Sequence, residues 1–429
     1  MCDIFAQMWF RHEFPVTAMA RKQMSIADNG RHGPVRPWIF WLILILLVAG
    51  GTEAAAFVAV RLILAPHAQY LLWNPDLAAA SRAWAADGNA VDDQLGWPPP
   101  GTATSGTRDT TGAKINADFP ETAKPCVSAY GDSFVWGDQV PAADGWVEQL
   151  SRQLGCRVSN YGVSGYGTDQ AYIRFHRMED DHAPVVLLGI FPDDIIRNLN
   201  QYRAFLGFGL EPFWVKGRFV LDEAKRLQWI PRPRLDAASY LQLHRQPAAI
   251  LPHEYFLPDS RDGQVSVHFP YTPALVRLAL MPRLWNRLRG QTPWTDLYSP
   301  DHPSGAVPLT IAIAKAFVQE AQQRGMRTFI VMLPSAGSFR LAERSGKADY
   351  APFVTAMTAN GLSVFDPIPG LIRALKGQSY CMLYVDKNCE GHYNIAGGGL
   401  VAQIVAAELK RLKLVDGQER SSLARHQGG

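Results

Sequence analysis

Net charge is what this chain has least of. Lys and Arg number 42 against 39 Asp and Glu, which leaves +3 over 429 residues. A near-neutral chain lacks the basic footprint of a nucleic-acid binder, so no nucleic-acid partner is expected. The motifs of metal sites are missing as well: there is no HExxH, no zinc-spaced cysteine set and no EF-hand loop. The run EDDH (Glu179–His182) gathers donor groups but reads as a solvated loop between a helix and a strand. In NYGVSGYGTDQ the glycines Gly162, Gly165 and Gly167 are spaced GxxGxG, not the GxGxxG of a dinucleotide fingerprint. No metal and no cofactor are therefore expected, and no internal repeat is present.

Cysteine is scarce, at five residues: Cys2, Cys126, Cys156, Cys381 and Cys389. Their placement ties to the first strong feature of the chain. Trp38–Val60, WIFWLILILLVAGGTEAAAFVAV, has Glu53 as its single charge and is long enough to span a bilayer. Arg11, Arg21, Lys22, Arg31 and Arg36 precede it, whereas only Arg61 and Arg82 lie between it and Pro100. That bias puts residues 1–37 in the cytoplasm and everything beyond about residue 60 outside it. The competing reading is a cleaved signal peptide, with Ala54–Ala56 as the processing site. Glu53 is read as the point where the helix leaves the hydrocarbon and runs on into the interface. With Cys2 inside, four cysteines remain outside, an even number suited to an oxidising compartment. Pairings 126–156 and 381–389 follow as a hypothesis, against four unpaired small apolar residues.

The hydrophobic content of 47% supports a large packed core. Residues 61–120 hold one possible helix and then PPPGTATSGTRDTTGAK (Pro98–Lys114), turn-rich and read as a connecting segment. From Cys126 strands and helices alternate. CVSAYG and CRVSNYG read as strands, GWVEQLSRQLG (Gly145–Gly155) and Gln170–Met178 as helices, and APVVLLGIF (Ala183–Phe191) as an unbroken apolar strand. Residues 203–300 break the rhythm with Pro, aromatics and short β-like runs such as GRFVLD. It resumes with a helix at Val307–Arg324, strands at Met326–Pro334 and Leu362–Pro367, and a last helix at Leu400–Leu414. The expectation is an α/β fold: a three-layer α/β/α sandwich on a mostly parallel sheet over 121–415, with an insertion near 203–300 and a polar tail at 416–429.

Ligands of such sheets bind at the carboxyl ends of the strands. There the sequence puts Ser133 in YGDSFVWGDQV, Gly165 in the glycine turn, Asp193 and Asp194 in FPDD, and His392 in DKNCEGHYNIAGGG. A serine hydroxyl becomes a nucleophile when a histidine takes its proton and a further group orients the ring. Backbone N–H groups at Ser133 and Gly165 can serve a developing oxyanion.

These blocks, with DDQLGW (Asp92–Trp97) upstream, resemble the SGNH/GDSL hydrolases of membrane-anchored, extracytoplasmic type, over roughly Asp92 to Leu414. The resemblance implies Ser133 as nucleophile and first oxyanion donor, Gly165 as second donor and His392 as base, with Asp132 of the GDS block beside them. It implies a serine esterase or O-acyltransferase held in the cell inner membrane with a periplasmic domain. The implied substrate is an acyl, in particular acetyl, ester of a cell-surface or exported glycan, or a small ester. Two departures stand out. The family's oxyanion asparagine is replaced by Asp193, and losing such a donor costs about 10²–10³ in rate. Either Asp193 is protonated, or Asn198 substitutes, or the oxyanion is not stabilised there. The family's acid, three residues before the histidine, falls on Cys389, which leaves Glu390 or Asp386 as the acid, with Glu390 preferred. The alternative is an impaired SGNH-fold protein that binds or assembles glycan.

Overall fold

The computed structural model describes residues 36–64, 70–88, 91–97, 107–386 and 388–415. The expected cytoplasmic tail, apart from its last two residues, and the polar tail at 416–429 lie outside them, as do Cys2, Arg11, Arg21, Lys22 and Arg31. The chain divides into two compact units between Thr52 and Glu53.

The first unit carries most of an apolar helix. Pro37–Phe57 is α-helical and a wider π-helical stretch follows at Val58–Leu64. Pro37 takes the first helical position, where its missing N–H is harmless. Pro37–Leu62 is long and apolar enough to cross a membrane, with a mean hydropathy of 2.2.

The second unit is built on a five-stranded sheet. Its strands are β1 (Val127–Tyr130), β2 (Val158–Asn160), β3 (Val185–Ile190), β4 (Arg327–Met332) and β5 (Val364–Phe365). All pair in parallel, in the order β2-β1-β3-β4-β5. Central β3, VVLLGI, is buried at every position, which is why its sequence is an unbroken apolar run rather than an alternating one. Helices Trp146–Leu154, Ile368–Leu375 and Ile395–Arg411 pack together in one layer, and Thr168–Arg177, Ala306–Gln323 and Ala351–Ala359 in another. In this strand order the winding reverses between β1 and β3, and a crevice opens there at the carboxyl ends.

The last helix starts five residues before the expected Leu400. Asn394 caps it, with Gly397 N donating to Asn394 Oδ1 at 2.8 Å. Packing against the Trp146–Leu154 helix carries the glycine run that propensity alone disfavours.

Two regions differ from expectation. Residues 107–120 do not form a free connecting segment. Ala113 joins the main core, Lys114 N donates to Asn160 O at 2.8 Å beside β2, and Lys114 Nζ reaches the equally buried Glu148 at 3.3 Å. Upstream, Leu72–Trp73 pairs in parallel with Val265–Ser266. Residues 203–300 contain a hairpin (Arg218–Leu221 with Leu227–Ile230) and four α-helices, at Ala237–Arg245, Pro247–Ile250, Thr272–Leu280 and Pro282–Leu288. Phe205, Tyr240, Phe256 and Tyr298 from this region lie in the main core. Its elements are too short for a period to emerge, so its aromatics looked unordered in the sequence. Cysteines 126–156 and 381–389 are bonded pairs.

Glu53 has a local task. Its carboxylate accepts from Tyr271 N, from Thr272 N at 3.1 Å and from Thr272 Oγ1 at 2.7 Å. It caps the Thr272–Leu280 helix, whose own preceding residue offers no cap.

The Lys114–Glu148 pair tests the docked segment. Lys114→Met strands a buried carboxylate, a loss of about 3–5 kcal/mol in denaturant unfolding at neutral pH. Burial already pushes the Glu148 carboxyl up, so acid neutralises it and the loss should shrink as pH falls. A mutant as stable as wild type at neutral pH would mean the segment is a tether.

Candidate active site

Ser133 follows β1 as the first residue of the short helix Ser133–Trp136. Asp132 holds that turn. It is fully buried, its Oδ1 accepts from Phe134 N at 2.9 Å, and its Oδ2 takes Arg197 Nη1 at 3.0 Å. The Ser133 hydroxyl stands 2.8 Å from His392 Nε2, across 259 residues of chain. The loop before His392 is cinched by Cys381–Cys389 and by Val385 N donating to His392 O at 3.0 Å.

The group on the far side of the imidazole is Gln139. Its Oε1 lies 2.7 Å from His392 Nδ1 and also accepts His392 N at 2.9 Å. A main-chain N–H can only donate, so the side-chain atom facing it is the amide oxygen. Nδ1 must then carry the proton it shares with that oxygen. Nε2 is left with a lone pair, and the Ser133 hydroxyl donates to it. Gln139 adopts a left-handed φ of 66°, and Gly391 has φ 83°. A Cβ on Gly391 would stand 2.9 Å from Gln139 Oε1, so glycine is required next to the histidine. Neither Glu390 nor Asp386 hydrogen-bonds to His392 among the described contacts. Glu390 lines the pocket, and Asp386 acts through its charge.

Desolvation lowers the His392 pKa below 6.5; the carboxylates of Asp138, Asp132 and Asp386 oppose this and the Arg197 cation reinforces it. The ring is therefore neutral at pH 7.

Gly165 has φ 79° and lines the same pocket. Trp97 Nε1 donates to Ser164 O at 2.8 Å, in the peptide plane that carries the Gly165 N–H, and so fixes its orientation. The DDQLGW block thereby braces the glycine turn, with Asp92 held by Arg177 at 2.8 Å.

The two residues weighed for the oxyanion asparagine, Asn198 and Asp193, go elsewhere, as does the neighbouring Asp194. Asn198 is buried away from Ser133, accepting from Asp169 N at 2.9 Å and donating to Thr310 Oγ1 at 2.8 Å. Asp194 caps its own helix through Phe191 N at 3.0 Å and holds Arg197 Nη1 at 2.9 Å. Asp193 accepts from the Tyr298 hydroxyl at 3.2 Å, and desolvation raises its pKa against the pull of Arg197. The pocket's described lining does not include Asp193. It does include Arg197, which no sequence pattern singled out.

The pocket is about 450 Å³, with Ser133 and His392 beside the aromatic side chains of Phe134, Phe191, Phe208 and Trp214. Phe134 stacks on Phe191 at 4.3 Å and lies 4.7 Å from the His392 ring. Ser133 after β1 and Phe191 after β3 place the crevice at the reversal of the sheet. That is the architecture the SGNH/GDSL resemblance implies.

No protein-family model matches the chain, and no curated protein does. Among solved structures it is similar to a G-D-S-L lipolytic family member from Veillonella parvula DSM 2008, at 13% identity and TM-score 0.32, covering 66% of this chain and 98% of that one. A candidate G-D-S-L lipolytic protein from Desulfitobacterium hafniense DCB-2 matches at 11% identity and TM-score 0.30, covering 66% and 97%. A candidate lipase from Chitinophaga pinensis DSM 2588 matches at 10% and 0.30, covering 67% and 98%. At such scores these likenesses carry no weight beside the side chains themselves.

The Gln139 contact is open to a direct reading by ¹³Cε1-histidine NMR, with the His392 signal assigned by its loss in His392→Asn. His392 should titrate below pH 6.5. Gln139→Glu, which sets an anion on Nδ1, should raise that midpoint by about 1–3 units. A midpoint unmoved by Gln139→Glu would mean the amide does not hold the ring.

Proposed function

We propose that this protein is a serine ester hydrolase or O-acyltransferase of SGNH/GDSL type, anchored by its N-terminal helix with the site outside the cytoplasm. The observation that carries the reading is the Ser133 Oγ–His392 Nε2 contact of 2.8 Å at the wall of a pocket of about 450 Å³. In the proposed reaction Ser133 attacks the ester carbonyl while His392 Nε2 takes its proton. The N–H groups of Ser133 and Gly165 receive the oxyanion. His392 then returns the proton to the departing alcohol, and an acyl group remains on Ser133. Water resolving that intermediate makes an esterase, and a sugar hydroxyl makes an acyltransferase.

Gln139 takes the orienting role that a carboxylate has in most triads. A neutral amide fixes the tautomer but lends no charge to the imidazolium as it forms, so a slow enzyme is expected. The aromatic walls suit an acyl group or the apolar face of a sugar, and an acetylated exported glycan is the substrate we favour. The apolar helix and the two disulfides support a periplasmic site. The rival reading is a glycan-binding or assembly protein on the same fold, favoured by the lack of a carboxylate on His392 Nδ1.

Hydrolysis of p-nitrophenyl acetate by the full chain in detergent separates them. Ser133→Ala should lower kcat/KM by about 10³-fold or more. Asp193→Asn should change it less than about tenfold, since Tyr298 is the partner of Asp193 and the pocket does not reach it; a rise of about 10²–10³ would place Asp193 at the oxyanion after all. Equal, background-level rates in all three proteins would favour the binding protein.

A further inference from the structure

We propose that the segment from Phe269 to Leu288 lies in the headgroup layer of the membrane as a second, peripheral lipid contact; this rests on the reading that the N-terminal helix crosses a bilayer. Its first helix is apolar on both faces and its second is inside out. In Thr272–Leu280, Ala274 and Leu278 are buried, yet Val276 and Leu280 on the other side are 53% and 74% exposed. In Pro282–Leu288 the buried residues are polar, Arg283 and Asn286, while Trp285 and Leu288 face outward. Phe269, just before the first helix, is also exposed, and Trp285 Nε1 donates to Ala279 O at 2.6 Å, tying the two outer faces together. A helix at a water-facing surface is apolar inside and polar outside. An exposed apolar patch of this kind marks a surface that something covers.

Two observations select lipid as the cover. The first is continuity with the apolar helix where its charge-free run ends. Glu53 caps the Thr272–Leu280 helix, the Phe57 ring meets Tyr271 at 5.2 Å, and Val60 shares a small cluster with Ala274, Leu278 and Met281. Whatever depth Glu53–Val60 occupies, this segment occupies too. The second is charge. From Phe269 to Gly290 the chain has four arginines and no Asp or Glu; Arg283 is buried and Arg277 pairs with Asp259 at 2.7 Å, which leaves Arg287 and Arg289 exposed to face phosphate. Apolar and aromatic side chains set among arginines suit the boundary between acyl chains and lipid phosphates, where Trp sits at headgroup level and arginine extends its guanidinium to the phosphate.

The test uses the full chain with Cys2→Ser, which removes the one cysteine outside the two disulfides. Single thiols are added by Leu280→Cys or Leu288→Cys, both at exposed positions, and labelled with a fluorophore. Ile45→Cys reports on the apolar helix, and Leu412→Cys, 42% exposed just past the last helix, reports on solvent. Each protein is reconstituted in phosphatidylglycerol-containing vesicles with nitroxide-labelled lipid. Probes at 280, 288 and 45 should lose fluorescence and the probe at 412 should not. Probes at 280 and 288 as bright as that at 412 overturn the proposal. If 45 is quenched in that case, the anchor stands and only the patch fails; if 45 is bright as well, the anchor fails with it. An unquenched, blue-shifted probe at 280 that reddens on dilution would replace lipid with a second copy of the chain.

Discussion

One amide oxygen organises this site. Gln139 Oε1 accepts the backbone N–H and the ring N–H of the same residue, His392, and so fixes where the ring is and which nitrogen is bare. The reach of that contact is long, since Gln139 lies just past the Ser133 helix and His392 just before the last helix of the domain. Any drift of either loop breaks both bonds together. The disulfide at 381–389, the left-handed backbone at Gln139 and the glycine at 391 all serve this one juxtaposition.

Around it the protein buries charge in matched sets. Arg197 sits between Asp132 and Asp194, Lys114 meets Glu148, and Lys216 meets Asp169, every one of these side chains at most 9% exposed. Hydrophobic residues would fill the same space without the desolvation penalty, so such pairs argue for specificity of placement over stability. The sets lie where loops from different strands converge. Asp132 comes from the loop after β1, Arg197 from the helix after β3, and Lys114 from the segment that runs beside β2. The sheet sets the level of the loops, and these pairs set their register against each other.

Much of this was legible in the sequence because it is periodic or apolar. The unbroken run at Val185–Ile190 reads as a central parallel strand, and Ser133 as the start of a turn at the end of another. The spacing of the cysteines suggested pairings that the structure contains. The partner of His392 was not legible. Expectation looked for a carboxylate near the histidine in sequence, at Glu390 or Asp386, whereas the contact comes from an amide 253 residues away. Nothing in residue type marks a glutamine as an orienting group. Asn198 failed as an oxyanion donor because its helix turns its amide toward Thr310, which no pattern reveals. Residues 107–120 looked like linker because their anchors are single polar side chains, Lys114 on Glu148 and Asp109 on the buried Arg157, and not an apolar stripe.

The proposed chemistry requires Ser133 to be a nucleophile activated by His392. The most direct measurement is peptide mass mapping after treatment with an organophosphonate, which bonds to activated serines. The account predicts an adduct on the peptide carrying Ser133 in the wild-type chain and none in His392→Ala. No adduct on Ser133, or equal labelling with and without the imidazole, would contradict it.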